Sequence, residues 1–374
     1  MTRKDEPPAS RLDDAERRDR LRLARSENVG PATFHTLLDR YGSAAAALEA
    51  LPALSARGGL KRPIRICTLA DAEAELARAA RLGLRLIASG EPGFPSLLAH
   101  IDAAPPLLYV AGQQDVLARP MVAVVGARNC SAAGRRLTER IVTGLAEAGF
   151  VIVSGLARGI DAAAHRASLA TGTVAVLAGG HGHLYPEEHG DLAREIARTG
   201  ALVSELPPDW EPRARDFPRR NRIIAGLAHG VVILEAAMRS GSLITARRAL
   251  EQGREIFAVP GSPLDPRSDG TNRLIRQGAV LTRSADDVLE ALEPVIRRPP
   301  SDPRAEEPRL EVADFVDPDD ARGLVTQALG TSPVEIDEVM RHTGLPAGTV
   351  MQVLVELELA GQLERHPGQR VSLV

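Results

Sequence analysis

"MVAVVGARNCSAAGRRLTERIVTGLAEAGFVIVSG" occupies residues 121–155. Two short apolar runs, "MVAVVG" and "FVIVSG", flank a stretch with a different rhythm. There Leu137, Ile141, Leu145 and Ala148 recur at i, i+4 and i+3 spacing, which gives a helix one apolar face. The alternation continues in "TVAVLAGG", "ALVSEL", "GVVILEA" and "EIFAVPG", with helical patterns between most of them. Strands that are apolar throughout and separated by helices predict a parallel sheet covered on both faces. The expected fold class is therefore α/β: an extended Rossmann-like, doubly wound, mostly parallel sheet.

Working outward, residues 76–293 carry this core. Residues 1–10 read as a disordered tail and 11–75 as a helical domain, with Leu21, Leu23, Phe34, Leu37, Leu38 and Leu48 near helical spacing. Within it "NVGPATFHTLL" (28–38) is a turn followed by a helix. It resembles a SAM-like or helix-hairpin-helix element, whose backbone amides can hold a phosphate, although a simple helix–turn–helix packing unit is the plainer reading. Residues 294–320, rich in proline and acid, read as a linker. Residues 321–374 give three amphipathic helices and a hairpin, the winged-helix pattern. The third helix, near 346–361, carries Glu356 and Glu358 and neither Arg nor Lys. Duplex-groove reading by that helix is not expected.

The chain has 374 residues, 44% of them hydrophobic, and a net charge of −3. A nucleic-acid surface must then be local rather than compositional. Cys67 and Cys130 are the only cysteines, which excludes a disulfide framework or a zinc ribbon and suits a reducing cytoplasm. No apolar run approaches ~20 residues, so no membrane span is expected.

Ligands of doubly wound sheets bind beyond the carboxyl ends of the strands. The segments there are "GARNCSAAG" (126–134), "SGLARGIDAAAH" (154–165), "GGHGHLYP" (179–186), "AAMRSGSLITARR" (236–248) and "PGSPLDPRSDGTN" (260–272). Ser131 and Ser242 are read as caps of helices 132–148 and 243–252, whose free N–H groups attract anions. With Arg128 and Arg158 nearby, these segments suggest a phosphate-rich ligand. No G-x-G-x-x-G or Walker A run is present, so no nucleotide cofactor is expected. His181, His183 and His189 match no standard metal spacing. Asp161 and His165 read as a first-turn acid and a packing histidine. Glu205 and Glu235 end strands and keep a nucleotide or ribotide hydrolase as an alternative. No nucleophile–base pair is apparent, and no catalytic residue is assigned.

Between Pro207 and Arg248 the basic residues are Arg213, Arg215, Arg219, Arg220, Arg222, Arg239, Arg247 and Arg248; the acids are Asp209, Glu211, Asp216 and Glu235. Eight against four is a local +4. Trp210 and Phe217 lie among them in a chain only 3% aromatic. Bases stack on such rings at ~1–3 kcal/mol each. "DFPRRNRIIAGL" (216–227) thus divides into two halves. Phe217 to Arg222 are expected to face a polyanion, and Ile223, Ile224 and Leu227 to anchor on the sheet.

The motifs "VAVVGARNCSAAG", "SGLARGIDAAAH", "FPRRNRIIAGL", "SGSLITARRALEQGREIFAVPG" and "DGTNRLIRQGA", in this order, resemble the DNA-processing protein family DprA, also called Smf. The resemblance spans about residues 20–292 and extends to the three-part layout. It implies a non-enzymatic, dimeric, cytoplasmic protein that binds single-stranded DNA during natural transformation and loads the RecA recombinase. It also implies DNA contacts at Arg128, Arg219, Arg220, Asn221, Arg222, Gly241 and Ser242, with Phe217 stacking on a base. Ser131 and Arg158 join them from the rim reading. The 179–186 turn departs from the family pattern. A winged-helix regulator sensing a nucleotide remains a further alternative.

Overall fold

The computed structural model describes residues 12–297 and 318–374. The proposed tail at 1–10 and most of the 294–320 linker lie outside the described residues. The described elements run α1 (Asp14–Arg25), α2 (Pro31–Tyr41), α3 (Ala44–Arg57), α4 (Leu69–Arg81), β1 (Arg85–Ala88), α5 (Ser96–Ala99), β2 (Leu107–Gly112), β3 (Met121–Gly126), α6 (Ala132–Glu147), β4 (Val151–Ser154), α7 (Ile160–Ser168) and β5 (Thr173–Val176). They continue with α8 (Gly190–Thr199), β6 (Ala201–Ser204), α9 (Asp216–Leu227), β7 (Gly230–Leu234), α10 (Gly241–Glu251), β8 (Glu255–Ala258), α11 (Asp269–Arg276), β9 (Val280–Leu281) and α12 (Ala285–Arg297). The last are α13 (Pro318–Ala328), β10 (Val334–Glu335), α14 (Ile336–Thr343), α15 (Ala347–Leu359), β11 (Leu363–His366) and β12 (Arg370–Leu373).

Contacts divide the described chain into two compact units. Residues 74–297 carry a sheet ordered β1-β2-β6-β5-β4-β3-β7-β8-β9. From β6 through β9 neighbouring strands are parallel, and β2 joins β6 antiparallel. Successive side chains of a strand point to opposite faces, so each apolar strand feeds two cores. Ala123 and Val125 join Ile223, Ile224 and Leu227 of α9 on one face. Val122 and Val124 join Ile141, Val142 and Leu145 of α6 on the other. The doubly wound α/β expectation holds. The antiparallel edge pair β1–β2 has no clear sequence rhythm, because glycines and prolines crowd residues 89–106 between its two strands.

Residues 12–73 and 318–374 form the second unit. The three-stranded sheet β10-β12-β11 beside α13, α14 and α15 is the expected winged helix. It does not stand apart as the reading of 321–374 as a separate domain implied. Val355 and Leu359 of α15 are buried with Leu23, Phe34, Leu51 and Leu54 of the N-terminal helices. The two acids of α15 face the same way. Arg57 Nε lies 2.9 Å from Glu356 Oε1, and Thr33 Oγ1 donates to Glu358. Asn28 Nδ2 donates to the Leu359 carbonyl at 3.0 Å. The turn before α2, read as a possible phosphate site, therefore meets this chain's own carboxylate. Gly58 closes α3 where a Cβ would lie 1.8 Å from the Glu356 carbonyl oxygen. Only glycine permits that approach. Among the described residues no helix is long and apolar enough to cross a membrane.

Two histidines are packed inside the first unit. His165 Nδ1 is 2.8 Å from Thr173 Oγ1, and burial pushes its pKa down to about 3. His181 Nε2 is 3.1 Å from the Leu202 carbonyl, and burial lowers its pKa to about 4.

Gly58→Ala is expected to cost ~1–3 kcal/mol, as overpacking does. Gly323→Ala, inside α13 where a Cβ meets nothing within 4 Å, is expected to stabilise by up to ~1 kcal/mol. Urea midpoints of the two variants check both. The two imidazoles are neutral when folded and titrate near ~6.5 when unfolded. Their contribution is complete above that pH and is lost as pH falls toward their folded values. Unfolding free energy is expected to drop from about pH 7 down to about pH 3, and less steeply in His165→Gln.

Candidate nucleic-acid interface

The sheet is wound outward from β3: the chain runs through β4, β5 and β6 to one side, then returns to β7, β8 and β9 on the other. The loops after β3 and β7 part at that switch point, leaving a crevice at the carboxyl ends of the strands. It holds a groove of about 960 Å³. Its apolar wall is Phe217, Pro218 and Ile224 of α9 with Ile244 of α10. Its polar wall is Arg128, Asn129, Arg239 and Arg267, closed by the turn Ser240–Ser242.

Helix α9 decides which way the arginines point. Its start is pinned by the buried carboxylate of Asp216, which accepts from Trp210 Nε1 and the Arg213 backbone N–H, both at 2.9 Å. At 3.6 residues per turn, arginines at 219, 220 and 222 cannot share one face. Phe217, Pro218, Arg220, Asn221 and Ile224 line the groove. Arg219 is exposed and Arg222 is turned aside; neither reaches it.

The expectation that all three arginines face a polyanion is therefore corrected. Arg220 is 6% exposed and forms the floor. Its Nη1 donates to the carbonyls of Gly155, at 2.8 Å, and Val176, joining the ends of β4 and β5. Burial lowers its pKa to about 10, opposed by the charge of Asp161. Arg222 donates to the Ala103 carbonyl at 2.6 Å and pairs with Glu205, both groups being mostly buried. Asn221 Nδ2 donates to the Gly241 carbonyl at 3.3 Å and so ties α9 to the start of α10. Ile223, Ile224 and Leu227 are buried on the sheet.

Of the two serines read as caps, Ser131 caps its helix and Ser242 does not. Ser131 does cap α6, its Oγ accepting from the Gly134 N–H at 2.9 Å. That helix end is not open to an outside anion. Glu235, at φ 47°, accepts from the Ser131 N–H at 2.8 Å and from its hydroxyl. A Cβ on Gly134 would lie 2.6 Å from Glu235 Oε1, so a larger residue there would push the carboxylate off the helix start. The cap of α10 is Ser240 rather than Ser242; Ser240 Oγ accepts from the Ser242 N–H at 3.3 Å. Ser242 is buried and Gly241 exposed, and both still line the groove. Glu235 and Glu205, the carboxylates of the hydrolase alternative, are thus engaged by a helix start and by Arg222. Among the described residues no His, Cys, Asp and Glu cluster fits a metal ion.

Arg128 has a different status. Its side chain is exposed, and its guanidinium lies 5.6 Å from the centre of the Phe217 ring, with no ion pair among the described residues. A cation on a ring face keeps its charge, whereas a carboxylate would cancel it. Phe217 meets Tyr185 edge to face at 5.3 Å and 76°. Tyr185 is 52% exposed and remains accessible to solvent beside Phe217. Arg158 sits beside this cluster with its fork held by Glu188 at 2.8 and 2.7 Å. Sequence reasoning missed Tyr185 because the atypical 179–186 turn has no strand or helix rhythm. Its place after β5 was the signal available. It also passed over Asn129, Arg239 and Arg267 when choosing among the residues that follow the strands. Arg267 is itself paired with Asp265 at 2.9 Å.

A sequence model described as DNA recombination-mediator protein A matches residues 85–293. Models for a DprA-like N-terminal HHH domain and a DprA winged helix domain match 14–78 and 297–369. Protein Smf of Escherichia coli is 42% identical over 287 residues, 75% of this chain and 74% of its own. DNA processing protein DprA of Streptococcus pneumoniae is 49% identical over 202 residues, 54% of this chain and 71% of its own. The X-ray structure of the S. pneumoniae protein superposes with a TM-score of 0.63 at 37% identity, over 72% of this chain and 95% of that one. A Helicobacter pylori DNA processing protein A structure, described as revealing a unique single-stranded DNA binding mode, gives 0.52 at 28% identity, over 57% and 96%. On the strength of these matches and of the switch-point architecture, the chain belongs to the DNA recombination-mediator protein A family, known as DprA or Smf.

Proposed function

We propose that the groove binds single-stranded DNA without reading its sequence, and that the chain acts without turnover. The observation that carries this reading is the uncancelled charge of Arg128 on the face of Phe217, beside the exposed side chain of Tyr185. Rings and a free guanidinium side by side suit a splayed strand, whose bases stack while its phosphates pair. A stacked duplex offers no free base to such a wall. The H. pylori relative, described with single-stranded DNA, supports the same occupant. Loading of the RecA recombinase, action as a homodimer and a place in natural transformation rest on family membership. The winged-helix regulator finds less support, because α15 carries Glu356 and Glu358 and packs on the N-terminal helices.

The reading is tested by anisotropy titrations of mixed-sequence single strands and duplexes over a range of salt. Single strands should bind more tightly, with a log–log salt slope of about −0.7 per phosphate contacted. Arg128→Ala should make the slope shallower by about 0.7 and leave thermal stability unchanged. Phe217→Ala should cost ~1–3 kcal/mol of binding for every sequence tested. Arg220→Ala should lose stability together with binding, since it leaves Asp161 buried without its cation. Equal affinity of Arg128→Ala and the parent for single strands would place the site elsewhere.

A further inference from the structure

A second, smaller cavity of about 250 Å³ adjoins the groove and shares the Arg128–Asn129 turn with it. Arg135, Arg158 and Arg166 complete its basic lining, and Glu188 is its only acid. Four guanidinium groups against one carboxylate leave a net +3 within a chain of net −3. The lining contains no Phe, Tyr, Trp, Leu or Ile. Its one ring, the imidazole of His189, is buried with Nδ1 2.8 Å from the Leu156 carbonyl, so the lining offers no open ring to a base and holds what a phosphate needs.

The arginines differ in how they are committed. Arg158 offers both arms of its fork to Glu188, at 2.8 and 2.7 Å. That bidentate arrangement is also the one a guanidinium makes with a phosphate, so a phosphodiester could compete for the same fork. Arg135, in the first turns of α6, and Arg166, near the end of α7, are exposed and have no ion pair among the described residues. Two separate helices thus direct uncancelled guanidinium groups to one small cavity. Such a placement keeps two like charges close and is unfavourable until an anion enters.

We propose that this cavity is a phosphate subsite for the strand leaving the groove, in which Arg135 and Arg166 hold the DNA backbone beyond the Arg128–Asn129 turn. The inference rests on the groove reading given above. Bases are held on the aromatic side of the turn and only backbone on the other. The short cavity adds affinity and direction to the strand without adding sequence preference.

The test uses the full chain and oligothymidylates of about 6 and about 20 nucleotides, the shorter being near the span of a single binding groove. The double variant Arg135→Ala/Arg166→Ala should bind the short strand like the parent. It should bind the long strand at least about tenfold more weakly at low salt, with a slope shallower by about 1.4, two phosphates' worth. The double variant Arg136→Ala/Arg140→Ala removes the same charge from exposed positions of α6 outside the cavity and should keep most of the long-strand affinity. The inference is overturned if Arg135→Ala/Arg166→Ala binds the long strand like the parent, if it loses both lengths equally, or if the control pair loses as much. Unchanged binding of both lengths by Arg128→Ala overturns the groove reading instead, and this inference with it.

Discussion

A positive charge buried under the groove organises everything above it. Arg220 carries its guanidinium into the sheet end, where a lone cation would be strongly disfavoured. The carbonyls of Gly155 and Val176 receive it, and Asp161 supplies the opposite charge. Asp161 is itself held by the N–H groups of Gly155 and Ala157, while burial pushes its carboxyl above the ordinary range. This network joins the ends of β4 and β5 to α9. It fixes the rotation of α9 about its axis, and that rotation presents Phe217 and Ile224 to the crevice and sends Arg222 to Glu205.

The same economy of charge explains how a slightly acidic protein can offer an anion site. Three arginines near the rim are paired with acids: Arg158 with Glu188, Arg222 with Glu205 and Arg267 with Asp265. Arg128 rests on an aromatic face instead, and Arg213 lies over the Trp210 ring at 5.0 Å. Local potential therefore comes from which cations lack an acid, and a count of arginines does not reveal it.

The parallel strands were legible because both of their faces are covered, which writes an unbroken apolar run into "MVAVVG" and "GVVILEA". The edge pair was not. β2 follows two prolines, and β1 is a four-residue strand bounded by a glycine-rich loop. At the site, the concentration of arginine between 207 and 248 was visible, and so was Phe217. The direction of each side chain was not, because a run of consecutive residues winds around the whole helix. Ser131 was read correctly as a cap, but the acid that fills its helix end comes from position 235, over a hundred residues away in sequence. Contacts of that span leave no periodic trace. Tyr185 was missed because its turn, 179–186, has no strand or helix rhythm.

The docking of α15 onto α1–α3 makes the second unit discontinuous, with the 74–297 unit inserted between its halves. During synthesis the N-terminal helices emerge first, yet the residues that cover Phe34 and Leu51 are Val355 and Leu359. That apolar surface is not fully covered until α15 has been made. The inserted unit has its own two cores and is free to fold in the interval. Ribosomal order is thus the reverse of a bead-by-bead assembly: the segment made first is completed last. A premature stop anywhere before α15 would release a chain whose oldest helices had never found their partner.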